Sequence, residues 1–349
     1  MDLKAFDDYV GQRRIVSQLL PDLTACLQRN KTTPHMILHG RPGLGKDYLV
    51  ERIAQFLGAQ VHMYYGSEIA RNRNWTWNTA FYALRSEDPN DIYPGLDAAG
   101  FIREPERVIR HLIVVNECET IGPQIWEGLH SSMIPQSDGR RVYPYCVNKS
   151  QGQYSTLWCP PYTLILLTNF ISKLRKNGMA VVDRCSMVMQ VQPYTHEEMQ
   201  AIIEAFSEKN GVVIKPEAAA LLSRCSKANP RRAIDQLWHS CDNERVLRND
   251  TRITVANVHA VMDRMGIADD GLNDDDLNYL EALVNSSGGV GQDRLACILG
   301  TSVDALDSEI EPWLFQQGLV TVAAGTGRIL TQDGLARVRR NGRSKLNFV

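Results

Sequence analysis

The chemistry most directly written into this sequence of 349 residues is the octapeptide Gly40-Arg41-Pro42-Gly43-Leu44-Gly45-Lys46-Asp47. Its glycines let successive backbone N–H groups converge on one anion, and a helix starting at Lys46 would aim its positive dipole end at the same point. The ammonium of Lys46 would reach the β- and γ-phosphates of a nucleotide as a compact charge. On this reading Gly40, Gly43, Leu44, Gly45, Lys46 and Asp47 are candidate nucleotide-binding residues, with ATP as ligand and Mg²⁺ as its counter-ion. The motif requires an apolar strand before it and a helix after it. Met36 to Leu38 and the helically spaced apolar positions from 46 to 58 supply them. A glycine-rich turn that binds no phosphate is the plainer alternative. The departure is Asp47, where a P-loop places Ser or Thr to put a hydroxyl on the metal.

Downstream, Leu112-Ile113-Val114-Val115-Asn116-Glu117 reads as a buried strand ending in polar side chains, like a Walker B motif whose usual Asp is Asn116. Glu117 keeps the position of the base that orients and deprotonates the attacking water. The two departures are reciprocal. A carboxylate is gained at 47 and one is lost at 116, in residues expected on opposite sides of one magnesium ion. Asp47 and Asn116 are therefore the candidate metal residues, the carboxylate ligating directly and the amide through a metal-bound water. The opposing reading is decay, because Asp47 would also set a negative charge against the β-phosphate.

The elements that must carry these groups alternate short apolar runs with helical patterns, as a mostly parallel sheet covered by helices does. Met36 to Leu38, Val61 to Tyr64, Leu112 to Val115 and Thr163 to Thr168 are the candidate strands, residues 11 to 29 and 46 to 58 the candidate helices, and Arg140 to Cys159 a long hairpin. Residues 1 to 192 thus read as one α/β domain. Thr195-x-x-Glu198 is a capping-box signature that opens an all-α domain over 193 to 268. The acid-rich stretch from Asp269 to Asp276 reads as a solvated linker ending in a helix N-cap rather than as a metal site. Helical patterns at 274–284, 292–299 and 303–317, then two short strands around Ala323-Ala324-Gly325-Thr326-Gly327, make a winged helix over 269 to 336. Residues 337 to 349 form a tail with five basic side chains and no acid.

Composition narrows the partners. With 38 Lys and Arg against 40 Asp and Glu, any nucleic-acid surface must be local. Eight cysteines without a Cys-x-x-Cys pair argue against a zinc ribbon or a secreted disulfide framework. No apolar run approaches the roughly 18 residues that span a bilayer, and the start lacks a signal peptide's pattern, so the expected location is cytoplasmic, with no membrane partner.

Several segments together resemble the AAA+ motors of the RuvB type, which drive Holliday-junction branch migration in DNA recombination and repair. They are Asp7-Asp8-Tyr9-Val10-Gly11-Gln12, Gly43-Leu44-Gly45-Lys46, Pro160-Pro161-Tyr162-Thr163-Leu164-Ile165, Asp183-Arg184, Asn229-Pro230-Arg231-Arg232-Ala233, Val290-Gly291-x-Asp293-x-Leu295-Ala296 and Glu311-Pro312-Trp313-Leu314-x-Gln316-Gln317-Gly318. The resemblance covers essentially the whole chain, in order. It implies an α/β P-loop AAA+ core, a helical lid and a C-terminal winged helix, assembled into a ring or helical homo-oligomer on DNA. Tyr9 and Val10 would line the adenine pocket, Thr168 or Asn169 would be sensor 1, Arg184 the finger offered to a neighbouring subunit, and Arg231 sensor 2. An arginine supplied across a subunit interface ties hydrolysis to assembly.

Other residues suggest partners. The segment between Ile69 and Leu112 is longer than the family pattern, and in its part from 71 to 104 Arg71-Asn72-Arg73-Asn74-Trp75-Thr76-Trp77 interleaves arginine with tryptophan. That suits base stacking or a protein anchor, against the plainer reading of two core tryptophans. The hairpin at 140 to 158 is a candidate protein contact, against a structural flap. Arg328 at the wing tip, with Arg337, Arg339 and Arg340 in the tail, are candidate DNA contacts of the phosphate-binding kind. The expected function is nucleotide-dependent DNA remodelling or branch migration. The alternatives are an ATP-switched DNA adaptor or clamp-loader-like protein with slow or no hydrolysis, and a pseudo-ATPase scaffold.

Overall fold

Strands buried on both faces read as unbroken apolar runs, and three such runs form the middle of the main sheet. In a computed structural model of the protein, the described residues are 4–29, 31–84, 110–134, 141–148, 153–159, 161–286 and 288–340. The chain divides into two compact units, Met1–Gln192 and Pro193–Val349.

The first unit runs α1 (Arg13–Gln28), β1 (Met36–His39), α2 (Lys46–Leu57), β2 (Gln60–Tyr65), α3 (Gly66–Arg71), α4 (Trp77–Ala83), β3 (His111–Asn116), α5 (Pro123–Met133), β4 (Arg141–Asn148), β5 (Gln153–Cys159), β6 (Tyr162–Thr168), α6 (Ile171–Val182) and β7 (Met187–Gln190). Five strands pair in the order β2-β3-β6-β1-β7, all parallel, while β4 and β5 form the expected antiparallel hairpin. This order sets β3, β6 and β1 side by side, so the loops after them open at one edge of the sheet, where ligands of open α/β sheets bind. The strand β7 has no counterpart among the strands expected from sequence. Its four residues are Met187-Val188-Met189-Gln190, and only Met189 is buried, so the run carries no long apolar signal.

Trp75 and Trp77 belong to the core of this unit. Trp77 is fully buried, its Nε1 donates to the Ile125 carbonyl at 2.7 Å, and its ring packs on Trp126 with centroids 5.8 Å apart. Trp75 lies edge-on to Tyr64 and to Trp77. Neither tryptophan is placed for base stacking, so the plainer reading of that segment holds for them. Most of the remaining insertion lies outside the described residues, as do Arg140 and the turn of the hairpin.

The second unit starts with α7 (His196–Lys209), α8 (Pro216–Cys225), a π-helical stretch (Arg232–Trp238), α9 (His239–Leu247) and α10 (Val255–Met265). The Thr195–Glu198 capping box is formed in both directions. Then follow α11 (Asp274–Val284), α12 (Gln292–Leu299), α13 (Val303–Ala305), a π-helical turn (Leu306–Ile310), α14 (Glu311–Gln316), β8 (Val320–Ala323), β9 (Gly327–Leu330) and α15 (Gln332–Arg340). Asn273 caps α11 and three aspartates fill its first turn, where the helix dipole favours them. Lys227 of the lid reaches Asp276 of α11 in a buried ion pair. The final helix continues to Arg340, so residues 337 to 340 are helix rather than tail, and residues 341 to 349 lie outside the described residues.

Candidate nucleotide site

The loop between β1 and α2 is built as the glycine spacing demands. Gly43 and Gly45 have φ of 80° and 81°, in the left-handed region, and a Cβ on Gly40 would sit 2.6 Å from the Val191 carbonyl oxygen. Gly45 is the N-cap of α2, so the helix N-terminus opens onto the loop. Lys46 is buried, and its Nζ donates to the carbonyls of Gly40 at 2.8 Å and Arg41 at 3.0 Å and to Asn169 Oδ1 at 2.8 Å. Burial holds the His39 pKa below its usual range, and Arg175 and Lys46 push it the same way. A concave loop of backbone N–H groups beside a buried ammonium fits a polyphosphate.

The two departures from the motif touch each other. Asn116, at the end of β3, donates from Nδ2 to Asp47 Oδ1 at 3.0 Å, and its Oδ1 accepts the N–H of Glu117 at 2.9 Å. The amide oxygen is thus turned to the backbone and the amide nitrogen to the carboxylate. This donor set fits Mg²⁺, which takes one or two carboxylates and fills its shell with phosphate oxygens and water. Asp47 presents the carboxylate, and Asn116 acts on it rather than presenting an oxygen of its own. Glu117 follows with φ 52°, ψ 38°, exposed to solvent at the rim. Asn169, the sensor 1 candidate, contacts Lys46 directly, whereas the buried Thr168 turns its Oγ1 to the N–H of Phe170.

Tyr9 and Val10 are half-buried ahead of α1. The ring of Tyr9 stacks on that of Tyr48 at 5.8 Å and 16°, and Arg52 lies over the Tyr48 ring with its guanidinium carbon 4.7 Å from the centroid. Gln12 exchanges two hydrogen bonds with the backbone of Gln192, 2.6 and 3.0 Å long, which closes the first unit on itself. Tyr48 and Arg52 are not among the residues expected from sequence, although their i, i+4 spacing on a helix signals the pair. Nor is Glu119, whose carboxylate is buried beside Asn169.

Arg184 stands two residues beyond the end of α6, and its Nη1 donates to the Ala180 carbonyl at 2.6 Å. Arg231 is exposed in the second unit, at the start of the π-helical stretch.

The wing requires a correction. Arg328 is not at a free tip but in β9, where its Nε and Nη2 each bond a different oxygen of Glu311 at 3.0 Å. Glu311 is 2% exposed and also accepts from the Tyr279 hydroxyl at 2.8 Å. A buried carboxylate needs this cation more than DNA does. Arg337 pairs with Asp270 in the same unit, while Arg339 and Arg340 are exposed on the last turn of α15.

A parallel five-stranded sheet with a P-loop after β1, an acid after β3 and a polar residue after β6, in one chain with a helical lid and a winged helix, defines an AAA+ protein. The chain is homologous to RuvB. The family described as the Holliday junction DNA helicase RuvB P-loop domain matches residues 1–86, and the RuvB C-terminal winged helix domain matches residues 269–339. The Holliday junction branch migration complex subunit RuvB of Lactobacillus helveticus is 26% identical over 336 residues, spanning 94% of this chain and 85% of that protein. The subunit of the same name from Prochlorococcus marinus is 27% identical over 330 residues, with 94% and 83% covered. The solved structure of the Thermotoga maritima RuvB Holliday junction branch migration motor superposes with a TM-score of 0.73 at 23% identity, covering 96% of this chain and 97% of that one. Among the described residues no helix is long and apolar enough to cross a membrane.

Proposed function

We propose that this protein is a nucleotide-dependent DNA-remodelling AAA+ protein of the RuvB type that binds Mg-ATP and works as a ring or helical homo-oligomer on DNA. The observation that carries the reading is the junction of Lys46, Asn169, Asp47 and Asn116 at one end of the sheet. It sets a buried cation, a side-chain amide and a carboxylate around the mouth of the glycine-rich loop.

Lys46 would bind the phosphates, with the N–H groups of residues 43 to 47 holding the remaining oxygens. Tyr9 and Val10 would line the base, and Asn169 would read the terminal phosphate. Glu117 would orient the attacking water, its exposed rim position leaving room for one. Mg²⁺, held through Asp47, would neutralise charge on the β- and γ-phosphates. Asn116 would fix the carboxylate that holds it. Arg184 would complete the site of a neighbouring copy, and Arg231 of the lid would report the nucleotide to the second unit. DNA would meet Arg339 and Arg340 on α15 through phosphate contacts. The β4–β5 hairpin, a ladder separate from the main sheet, is the surface proposed for a protein partner.

The test is ATP turnover of the wild type and Lys46→Ala with no DNA and with single-stranded, duplex and four-way-junction DNA. Stimulation by DNA in the wild type and none in the variant supports the reading. Equal turnover by the two proteins, with or without DNA, would remove it.

A further inference from the structure

The turn after β3 carries two acids, and the structure gives them opposite environments. At Glu117 the backbone enters the left-handed region, which ends the alternation of the strand and starts a 3₁₀ turn over Cys118–Thr120. The turn is fixed by the Thr120 N–H and hydroxyl, both donating to the Glu117 carbonyl, at 3.1 and 2.8 Å. Glu117 therefore faces solvent while Glu119, two residues on, is turned inward and left 8% exposed.

Inside, Glu119 Oε1 accepts the backbone N–H of Asn169 at 3.2 Å, and Asn169 Oδ1 accepts from Lys46 Nζ at 2.8 Å. The backbone carbonyl of Glu119 in turn accepts from Asn177 Nδ2 of α6 at 3.3 Å, which pins the turn to that helix. The second carboxylate oxygen, Oε2, is buried with no hydrogen-bond partner. Burying a carboxylate with one oxygen unsatisfied is costly, so the inward position of Glu119 calls for a role beyond packing. The thiol of Cys118 senses both ends of the chain of contacts. Burial raises its pKa most, the Glu119 charge adds to the rise, and Lys46 opposes it.

We propose that Glu119 is a positioning residue for Asn169. Its carboxylate holds the backbone of Asn169 so that the side-chain amide caps Lys46 when the loop is empty and faces the terminal phosphate when that phosphate takes Lys46 over. The inference rests on the nucleotide reading of the loop and adds to it a group that the motif does not contain. Glu119 acts through Asn169 and not on the nucleotide itself, so its loss changes how ATP is told from ADP more than it changes binding as such.

Affinities for Mg-ATP and Mg-ADP, measured by calorimetry on the full chain, test this. Glu119→Ala, which removes the anchor, and Glu119→Asp, which withdraws the acceptor by one methylene, should each change the ratio of the two affinities roughly fivefold or more, the scale of one lost hydrogen bond. Glu119→Gln, which keeps an oxygen at the same reach, should hold the ratio within about twofold of the wild type, the scale of a conserved contact. In a protein already carrying Asn169→Ala, adding Glu119→Asp should leave the ratio unchanged. An equal loss of both nucleotides, or additive effects in the double variant, would overturn the positioning role while leaving the phosphate loop intact. A wild type that binds neither nucleotide would overturn both readings together.

Discussion

The side-chain amide of Asn116 donates to the carboxylate of Asp47 at 3.0 Å, so the two positions at which this chain departs from the usual nucleotide-site chemistry are in direct contact. A hydroxyl at 47 and a carboxylate at 116 would reverse the donor and acceptor. Restoring one without the other leaves either two carboxylates facing each other or a hydroxyl facing an amide. In a cycle of Asp47→Thr, Asn116→Asp and the double variant, Mg-ATP affinity should show a coupling of at least about 0.5 to 1 kcal/mol, as expected of groups that share one contact. Additive effects would mean that the two positions changed independently.

Arg184 is held to the end of its own helix through the Ala180 carbonyl, in a unit that already presents Lys46 to its own loop. If it serves a neighbouring copy, mixtures of Arg184→Ala and Lys46→Ala subunits should recover turnover that neither shows alone, because one supplies the finger and the other the loop. A wild type that hydrolyses ATP while every mixture stays inactive would remove this role.

In the winged helix the arginines divide by partner. Arg328→Ala leaves the Glu311 carboxylate buried without its cation and should cost about 2 to 4 kcal/mol of stability, read from a denaturant midpoint. Arg339→Ala with Arg340→Ala should leave that midpoint in place, lower duplex affinity alike for all sequences and reduce the salt slope by roughly one to two. Loss of DNA binding from Arg328→Ala in a protein of unchanged stability would reverse the assignment.

Two buried imidazoles set a pH dependence. Burial is the main cause that takes the pKa values of His35 and His111 down to about 4, with the Arg141 charge helping at the first and His62 at the second. Between about 4 and 6.5 the unfolded chain then binds protons that the folded chain refuses, so stability is complete above about pH 6.5 and is lost as pH falls through this window. A tenfold difference in proton affinity between the folded and unfolded chain corresponds to about 1.4 kcal/mol, so the urea midpoint at about pH 5 should lie clearly below that at about pH 7. His111→Gln should flatten the slope, and a midpoint unchanged over this range would contradict the neutral, buried imidazoles.

What the sequence disclosed depended on whether a residue's role is local. The phosphate loop was legible because glycines, lysine and the flanking strand and helix form one short segment, and β1, β3 and β6 were legible because burial on both faces leaves continuous apolar runs. The reciprocity of Asp47 and Asn116 was also legible, since the two motif positions are expected beside each other whatever the intervening chain does, and the two side chains do touch. Arg328 was not, because its partner Glu311 lies on the far side of a helix and a strand, and only the packing of α14 against the wing brings them together. Glu119 was hidden for a different reason. Its inward direction follows from the left-handed backbone at Glu117, a conformation that a non-glycine residue adopts only where the surrounding fold demands it.

Retention of four-way-junction DNA with and without Mg-ATP, in the wild type and in Lys46→Ala, bears most directly on a nucleotide-dependent protein that acts on DNA. ATP should tighten the wild-type complex about tenfold or more, a gain of roughly 1.4 kcal/mol per decade, and should leave the variant unchanged. Junction binding that is indifferent to ATP in the wild type, or equally responsive to it in Lys46→Ala, would contradict the account.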